Sequence, residues 1–315
     1  MITLDDIAAA AKRIQGVAHR TPVVTSATFN RVTGRNAFFK GENLQRGGAF
    51  KIRGAANLIL SLSRDQLDKG VVSFSSGNHA QATAIAARHA GAAATIVMPN
   101  DAPRSKIEAT RGYGANVIIY DRFKEDRVAI GKRIAAETGA ALVPPYDHPM
   151  IMAGQGTCAA EFLEDCAELD ALVVCIGGGG LISGCATAAK ALRPDLRIFG
   201  VEPADSNDTL LSLRAGRRAE VPLPKTIADG LRAQSPGEFT FPVIQKYVED
   251  VLIVSDDEIR DAMRFFLTRM KLVVEPSGAV AAAAVLAEKL PKEIKSPGII
   301  ISGGNVDLGL IASLA

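Results

Sequence analysis

Short apolar runs alternate with Ala-rich stretches along most of the chain. The runs Ala37–Lys40, Val71–Phe74, Ala94–Met98, Asn116–Tyr120, Ala141–Val143, Ala171–Ile176, Arg197–Val201, Val251–Val254 and Gly298–Ser302 have the length and composition of strands. Helical segments fall between them, among them His79–Ala90, Lys124–Glu137 and Ala159–Cys166. Strands that are apolar throughout, rather than alternating, are buried on both faces. The βαβα rhythm therefore predicts an α/β architecture with largely parallel sheets covered by helices. Two helix starts are marked in the sequence: Ser255 with Glu258 reads as a capping box, and Thr3 with Asp6 as its aspartate version. No internal repeat or low-complexity linker interrupts the pattern. Pro144-Pro145 is the strongest punctuation and is expected to mark a crossing between lobes. The expected organisation is a large domain of residues 1–63 and 146–315 with residues 64–145 inserted as a small domain.

At 315 residues and 48% hydrophobic content the chain can bury a large core, and the length suits two lobes. Its formal charge of +2 carries no basic block, and with no Trp and 5% aromatic residues base-stacking platforms are not expected either, so nucleic acid is excluded as a partner. No run is long enough to span a membrane, and the N-terminus MITLDDIAAAAKRI does not have the form of a secretory signal. Cys158, Cys166, Cys175 and Cys185 form no CxxC pair and suggest no disulfide framework. These features together suggest a soluble cytoplasmic protein.

Against that background Lys51 stands out. It lies in GGAFKIRGAANLI, after an aromatic and at the head of an apolar helical run. A lysine in apolar surroundings loses its proton more readily and becomes a nucleophilic amine, the form that makes a Schiff base. Cys175-Ile176-Gly177-Gly178-Gly179-Gly180-Leu181 follows a strand and precedes a helix, a setting in which backbone N–H groups close around a phosphate. It is not a P-loop, and Ile182 stands where the dinucleotide fingerprint has its third glycine, so a tight turn without ligand remains an alternative. Ser75-Ser76-Gly77-Asn78-His79, again between strand and helix, suits a carboxylate or serves as an ordinary helix cap. Ser302 ends a very apolar strand before Gly303-Gly304, where α/β sheets place ligands. Glu202, Asp205 and Asp208, with intervening carbonyls, form either an oxygen-ligand set for a hard cation or a solvated acidic loop.

The segment ENLQ at Glu42–Gln45 and GAFKIRGA at Gly48–Ala55 resembles the cofactor-lysine segment of the pyridoxal-phosphate enzymes of the serine/threonine dehydratase, serine racemase and threo-3-hydroxyaspartate ammonia-lyase family. SSGNHA, GQG (Gly154–Gly156), GGGGLISG, TIADG (Thr226–Gly230), EPSGA (Glu275–Ala279) and SGGNVD are similar to that family in the same order, from about Ile7 to Leu308. The resemblance implies a fold-type II architecture like the tryptophan synthase beta chain, with two lobes. It implies pyridoxal 5'-phosphate as cofactor, Lys51 as its Schiff-base partner and Phe50 flanking the ring. Gly177, Gly178, Gly179, Gly180 and Leu181 would hold the phosphate, Asn78 the ring hydroxyl and Ser302 the pyridine nitrogen. Ser75, Ser76, Gly77, Asn78 and His79 would bind the substrate carboxylate, with Ser76 at the position of the second acid/base of the racemases. Glu202, the Ser206 carbonyl and Asp208 fall where family members bind a structural divalent cation (Mg2+, Mn2+ or Ca2+).

The implied activity is an ammonia-lyase acting on L-threonine, L-serine or threo-3-hydroxyaspartate. The alternative is an amino-acid racemase with Lys51 and Ser76 as its two bases; a non-catalytic ligand-binding protein is the reading from another class. An oxidoreductase is disfavoured by the poor glycine fingerprint. The partners expected are a small amino acid and a second copy of the chain, as a homodimer. Two departures bear on the substrate. Ala49 replaces the usual Ser of the lysine motif, as in the hydroxyaspartate branch, and Arg127 aligns with an arginine that meets the distal carboxylate of dicarboxylic ligands in racemase relatives. A solvated helix face is the other reading of Arg127. The chain ends soon after SGGNVD, so feedback control through a C-terminal regulatory domain is not expected.

Overall fold

The structure, a computed structural model, describes residues 1–75, 77–102 and 104–314. Its strands are β1 (Val23–Thr25), β2 (Phe38–Gly41), β3 (Val71–Phe74), β4 (Ala94–Pro99), β5 (Asn116–Tyr120), β6 (Ala141–Leu142), β7 (Ala171–Cys175), β8 (Arg197–Pro203), β9 (Asp250–Val254) and β10 (Pro297–Ile301). They form a six-stranded sheet in the order β1-β2-β10-β7-β8-β9 and a four-stranded sheet in the order β5-β4-β3-β6. Every pairing is parallel except β1 with β2. β3, β7 and β10 are buried at every residue, which is why their sequences carry no polar alternation. The α/β expectation holds, and each of the nine strands read from the sequence is present with bounds within two residues.

Three details differ from the sequence reading. β1 is a short, half-exposed antiparallel edge strand, too brief to show a pattern. The segment read from Lys124 becomes helical only at Arg127, because the Asp126 side chain caps it by accepting from Val128 N. The helix read from Ala159 begins at Pro149, capped by His148, and so runs through Gly154 and Gly156. Those glycines are contact points. A Cβ on Gly154 would lie 2.5 Å from Arg53 O, and one on Gly156 would lie 2.8 Å from Gly184 O. The Pro149–Asp165 helix thus lies flush against the Lys51–Ile59 and Gly180–Leu192 helices.

The Lys51–Ile59 helix sits where the two sheets' cores meet. Its Ile52, Ala55, Ala56 and Ile59 are fully buried and share a core with Ala80 and Ala84 of the Asn78–Ala90 helix and with Ile151. On another face of the helix Arg53, with no exposed surface, reaches Glu42 twice at 2.8 Å and Glu161 twice at 2.8 Å, and donates to Thr157 Oγ1 and His19 O. Burial penalises both charges. For Glu42 the Arg53 guanidinium outweighs that penalty and holds the carboxyl below its usual range. Lys40, also fully buried, adds a bond to Glu161 at 2.9 Å. Removing one member of such a cluster strands the others in a medium that does not solvate them. Arg53→Met should therefore cost about 3–5 kcal/mol, read as a lower urea midpoint with an unchanged slope.

Candidate active site

Lys51 begins its helix immediately after a turn stitched to the end of β10. Phe50 N donates to Ser302 O at 3.1 Å, Gly304 N donates to Gly48 O at 2.9 Å, and Ala49 bridges Gly303. The start of the Lys51 helix is thereby fixed against the strand end that carries Ser302. Lys51 Nζ donates to Pro145 O at 2.7 Å and stands 5.1 Å from the centre of the Phe50 ring. Burial pulls its pKa down to about 8, with Cys175 and Glu275 opposing the shift. A substantial fraction is therefore neutral amine near physiological pH, as its apolar sequence context suggested.

Around Lys51 lies a cavity of about 690 Å³ between the two sheets. The glycine segment after β7 forms one wall. Gly179 has φ +91°, which turns the chain into the Gly180–Leu192 helix. Among the described residues, the N–H groups of Gly177, Gly178 and Gly179 find no protein acceptor. With the helix N-terminus behind them they fit a phosphate. Ser302, 2% exposed, also lines the cavity and donates to Ser277 O at 3.3 Å. Cys175 beside it is a neutral thiol, pushed up to about 11 chiefly by burial. Phe50 and Leu181 line the same space.

Ser75, Gly77, Asn78 and His79 form the opposite wall; Ser76 lies outside the described residues. Gly77 N donates to Ser75 Oγ at 3.3 Å. Asn78 Nδ2 donates to Glu275 Oε1 at 2.6 Å, and Asn78 Oδ1 accepts from Asn305 Nδ2 at 2.9 Å. His79 Nε2 bonds to Val143 O at 3.0 Å, and burial, then Lys51, push its pKa down to about 3. The ring is neutral. Arg127 lines the cavity from an exposed helix start, its guanidinium 6.0 Å from the Phe74 ring centre.

Four further lining residues had no role in the sequence reading. Tyr146 lies against the glycine segment, so close that a Cβ on Gly178 would run into its ring. Its place directly after Pro144-Pro145 was the available signal. Glu275 is 2% exposed and is held protonated, its pKa pushed up to about 8 by burial and then by Asp229. EPSGA and TIADG marked Glu275 and Asp229 as motif residues without saying what they touch. Lys106 meets Asp229 Oδ2 at 2.5 Å across the cavity mouth, and nothing local distinguishes it from a surface lysine.

Glu202 and Asp208, both fully buried, are apart from this cavity's lining, at the end of β8 and the start of the Asp208–Ala215 helix. Glu202 accepts from Thr209 N and Leu210 N, while both Asp208 oxygens lack a protein partner. Burial raises Glu202 to about 7; burial and then Glu202 raise Asp208 to about 8. Orphaned oxygens beside a second carboxylate fit a hard divalent cation. Among the described residues no third acidic, His or Cys side chain joins them, so carbonyls and water would complete the shell. Ser206 is buried between the two, its hydroxyl donating to Leu231 O at 2.7 Å.

A family model described as pyridoxal-phosphate dependent enzyme matches residues 14–303. The chain belongs to that family. It is 50% identical to a serine racemase of Schizosaccharomyces pombe over 97% of this chain and 95% of that protein. It is 51% identical to an L-threo-3-hydroxyaspartate ammonia-lyase of Saccharomyces cerevisiae over 99% of this chain and 96% of that protein. The solved structure of maize serine racemase superposes with a TM-score of 0.96 at 45% identity, covering 99% and 96% of the two chains. The family's cofactor matches what the cavity offers: a neutralisable lysine, a free N–H cradle and a hydroxyl at a strand end.

The Lys51 amine becomes nucleophilic as it deprotonates. In apoprotein, covalent capture of pyridoxal phosphate should speed up about tenfold per pH unit below pH 8 and level off above it; stopped-flow absorbance measures this. A plateau reached only near pH 10 would mean an unperturbed lysine.

Proposed function

We propose that the chain is an ammonia-lyase that converts a β-hydroxy amino acid (L-threonine, L-serine or threo-3-hydroxyaspartate) to a 2-oxo acid and ammonia. The observation that carries this reading is Lys51, a lysine shifted to about 8, facing the free N–H groups of the glycine segment across one cavity. When bound, pyridoxal phosphate supplies the carbonyl that takes up the substrate amine and the electron sink that makes the Cα proton removable. Gly177 to Leu181 would hold the phosphate, Phe50 would flank the ring, and Asn78 and Ser302 would meet its hydroxyl and nitrogen. Ser75 to His79 hold the substrate carboxylate and so fix which Cα substituent points at Lys51. Lys51 Nζ, as an uncharged amine, would take the proton from Cα. Loss of the β-hydroxyl as water and hydrolysis of the resulting enamine then release the 2-oxo acid and ammonium.

Glu275 and His79 support this scheme, because the first is already protonated and the second, with its pKa pushed down to about 3, is too weak a base to compete with Lys51 for the proton. The polar wall containing Arg127 supports a substrate with a second carboxylate, through bidentate pairing. The same reading includes residues 64–145 as an inserted small domain, a homodimer, and a cytoplasmic location, the last supported by four free, buried cysteines. Among the described residues no helix is long and apolar enough to cross a membrane.

Racemisation is the second reading, favoured by the 50% identity to a serine racemase. It needs a base on each face of Cα, Lys51 and Ser76. The deciding assay follows 2-oxo acid release and chiral inversion across both enantiomers of serine and threonine and the 3-hydroxyaspartates. Lys51→Ala should abolish both reactions in a folded protein. Ser76→Ala should remove inversion while retaining some elimination of the L-substrate; equal loss of both refutes the two-base scheme.

Glu202, Ser206 and Asp208 are proposed to hold Mg2+, Mn2+ or Ca2+ as a structural ion. A chelator should then lower the melting temperature and excess cation should restore it, the unfolding free energy rising by about 2.7 kcal/mol at a hundredfold excess over Kd. A melting curve indifferent to both treatments would leave no ion to assign.

A further inference from the structure

Lys106 stands on the Arg104–Gly112 helix beside the four-stranded sheet, and its side chain is only 11% exposed. Its ammonium contacts Asp229 on the Asp229–Leu231 turn of the six-stranded half. Among the described residues, no other ion pair joins the segment between β3 and β6 to that half. Burial opposes the charge, yet Asp229 outweighs it and keeps Lys106 protonated.

Its position relative to the Ser75–Asn78 turn is the second observation. A methyl group placed on Gly77 would lie 3.6 Å from Lys106 Nζ, so the ammonium overhangs that turn. The turn's own groups are all neutral: the Ser75 hydroxyl, peptide N–H groups, the Asn78 amide and an unprotonated His79. Lys51 must meet the substrate as an uncharged amine if it is to take the Cα proton, so it cannot be the standing counter-charge. A carboxylate brought out of water to this wall needs a counter-charge, because burying an unpaired anion is costly. An ammonium has three donors, so Lys106 can serve an incoming carboxylate without releasing Asp229.

We propose that Lys106 is the cation of the substrate-carboxylate subsite, with Asp229 as the positioning residue that holds it over the Ser75–Asn78 turn from the opposite half of the molecule. The proposal rests on the lyase reading for the identity of the ligand. It adds that specificity for amino acids over amines is set by a residue outside the turn itself.

The test compares Lys106→Met, Lys106→Arg and the double variant Lys106→Met/Asp229→Asn in holoenzyme. The probes are L-serine as substrate, and propionate with its neutral isostere propionamide as competitors. In Lys106→Met and in the double variant the propionate inhibition constant should rise about 10- to 100-fold, the range for one charge-assisted hydrogen bond. KM for L-serine should rise by a larger factor than any fall in kcat. Propionamide should not discriminate among the variants, and Lys106→Arg should recover most of the propionate affinity. The double variant separates the alternatives, since it removes the stranded Asp229 charge that Lys106→Met alone would leave. If it regains wild-type propionate affinity, the pair is only a clasp between the halves and the proposal is overturned. If the wild-type enzyme turns over no amino acid, propionate binding followed by cofactor absorbance still decides the role of Lys106, and the failure falls on the lyase reading alone.

Discussion

A single buried guanidinium governs where the chemistry happens. Arg53 is clamped between Glu42 and Glu161 and also holds Thr157 and His19 O, so three separate stretches of chain converge on one side of the Lys51–Ile59 helix. Two residues earlier on the same helix, about 200° around it, Lys51 points the opposite way, into the cavity. A buried ion cluster of this kind is a poor source of net stability, since desolvation consumes most of its attraction. Its value here is positional. The fixed fork of the guanidinium admits few arrangements of two carboxylates, and the helix that carries it inherits that restriction.

The cavity itself is governed by the opposite tendency, the removal of charge. Burial is the first cause of the shifts at Lys51, His79, Cys175 and Glu275, and each moves toward its uncharged form. Near neutral pH His79 and Cys175 carry no charge and Glu275 is mostly protonated. Charged groups line other parts of the cavity, among them Lys106 with Asp229 and Arg127. A low-charge interior around a reactive amine leaves proton transfer to the groups positioned for it, and makes each remaining charge count for more than it would in water.

Much of the fold was legible because parallel strands buried on both faces announce themselves as unbroken apolar runs. β7 and β10 are examples. β1 was not legible, since three half-exposed residues carry no period. The front of the Pro149–Asp165 helix was hidden by Gly154 and Gly156, which look like breakers locally but are there to let helices touch. At the site, Lys51, the glycine segment and Ser302 could be read because strand–loop–helix context is local. Asn78 and Glu275 meet across 197 positions and Lys106 and Asp229 across 123, and no window along the chain reveals such pairs. Only the assembled sheets bring them to one wall.

The acceptor that holds Lys51 is the carbonyl of Pro145, in the segment by which the chain leaves the four-stranded sheet and enters the Pro149–Asp165 helix. The reactive nitrogen is thus tethered to the connector between the two halves rather than to either sheet. Because the acceptor is a backbone carbonyl, no side-chain rotation can release the amine: a change in the path of that connector would reach the Lys51 nitrogen directly.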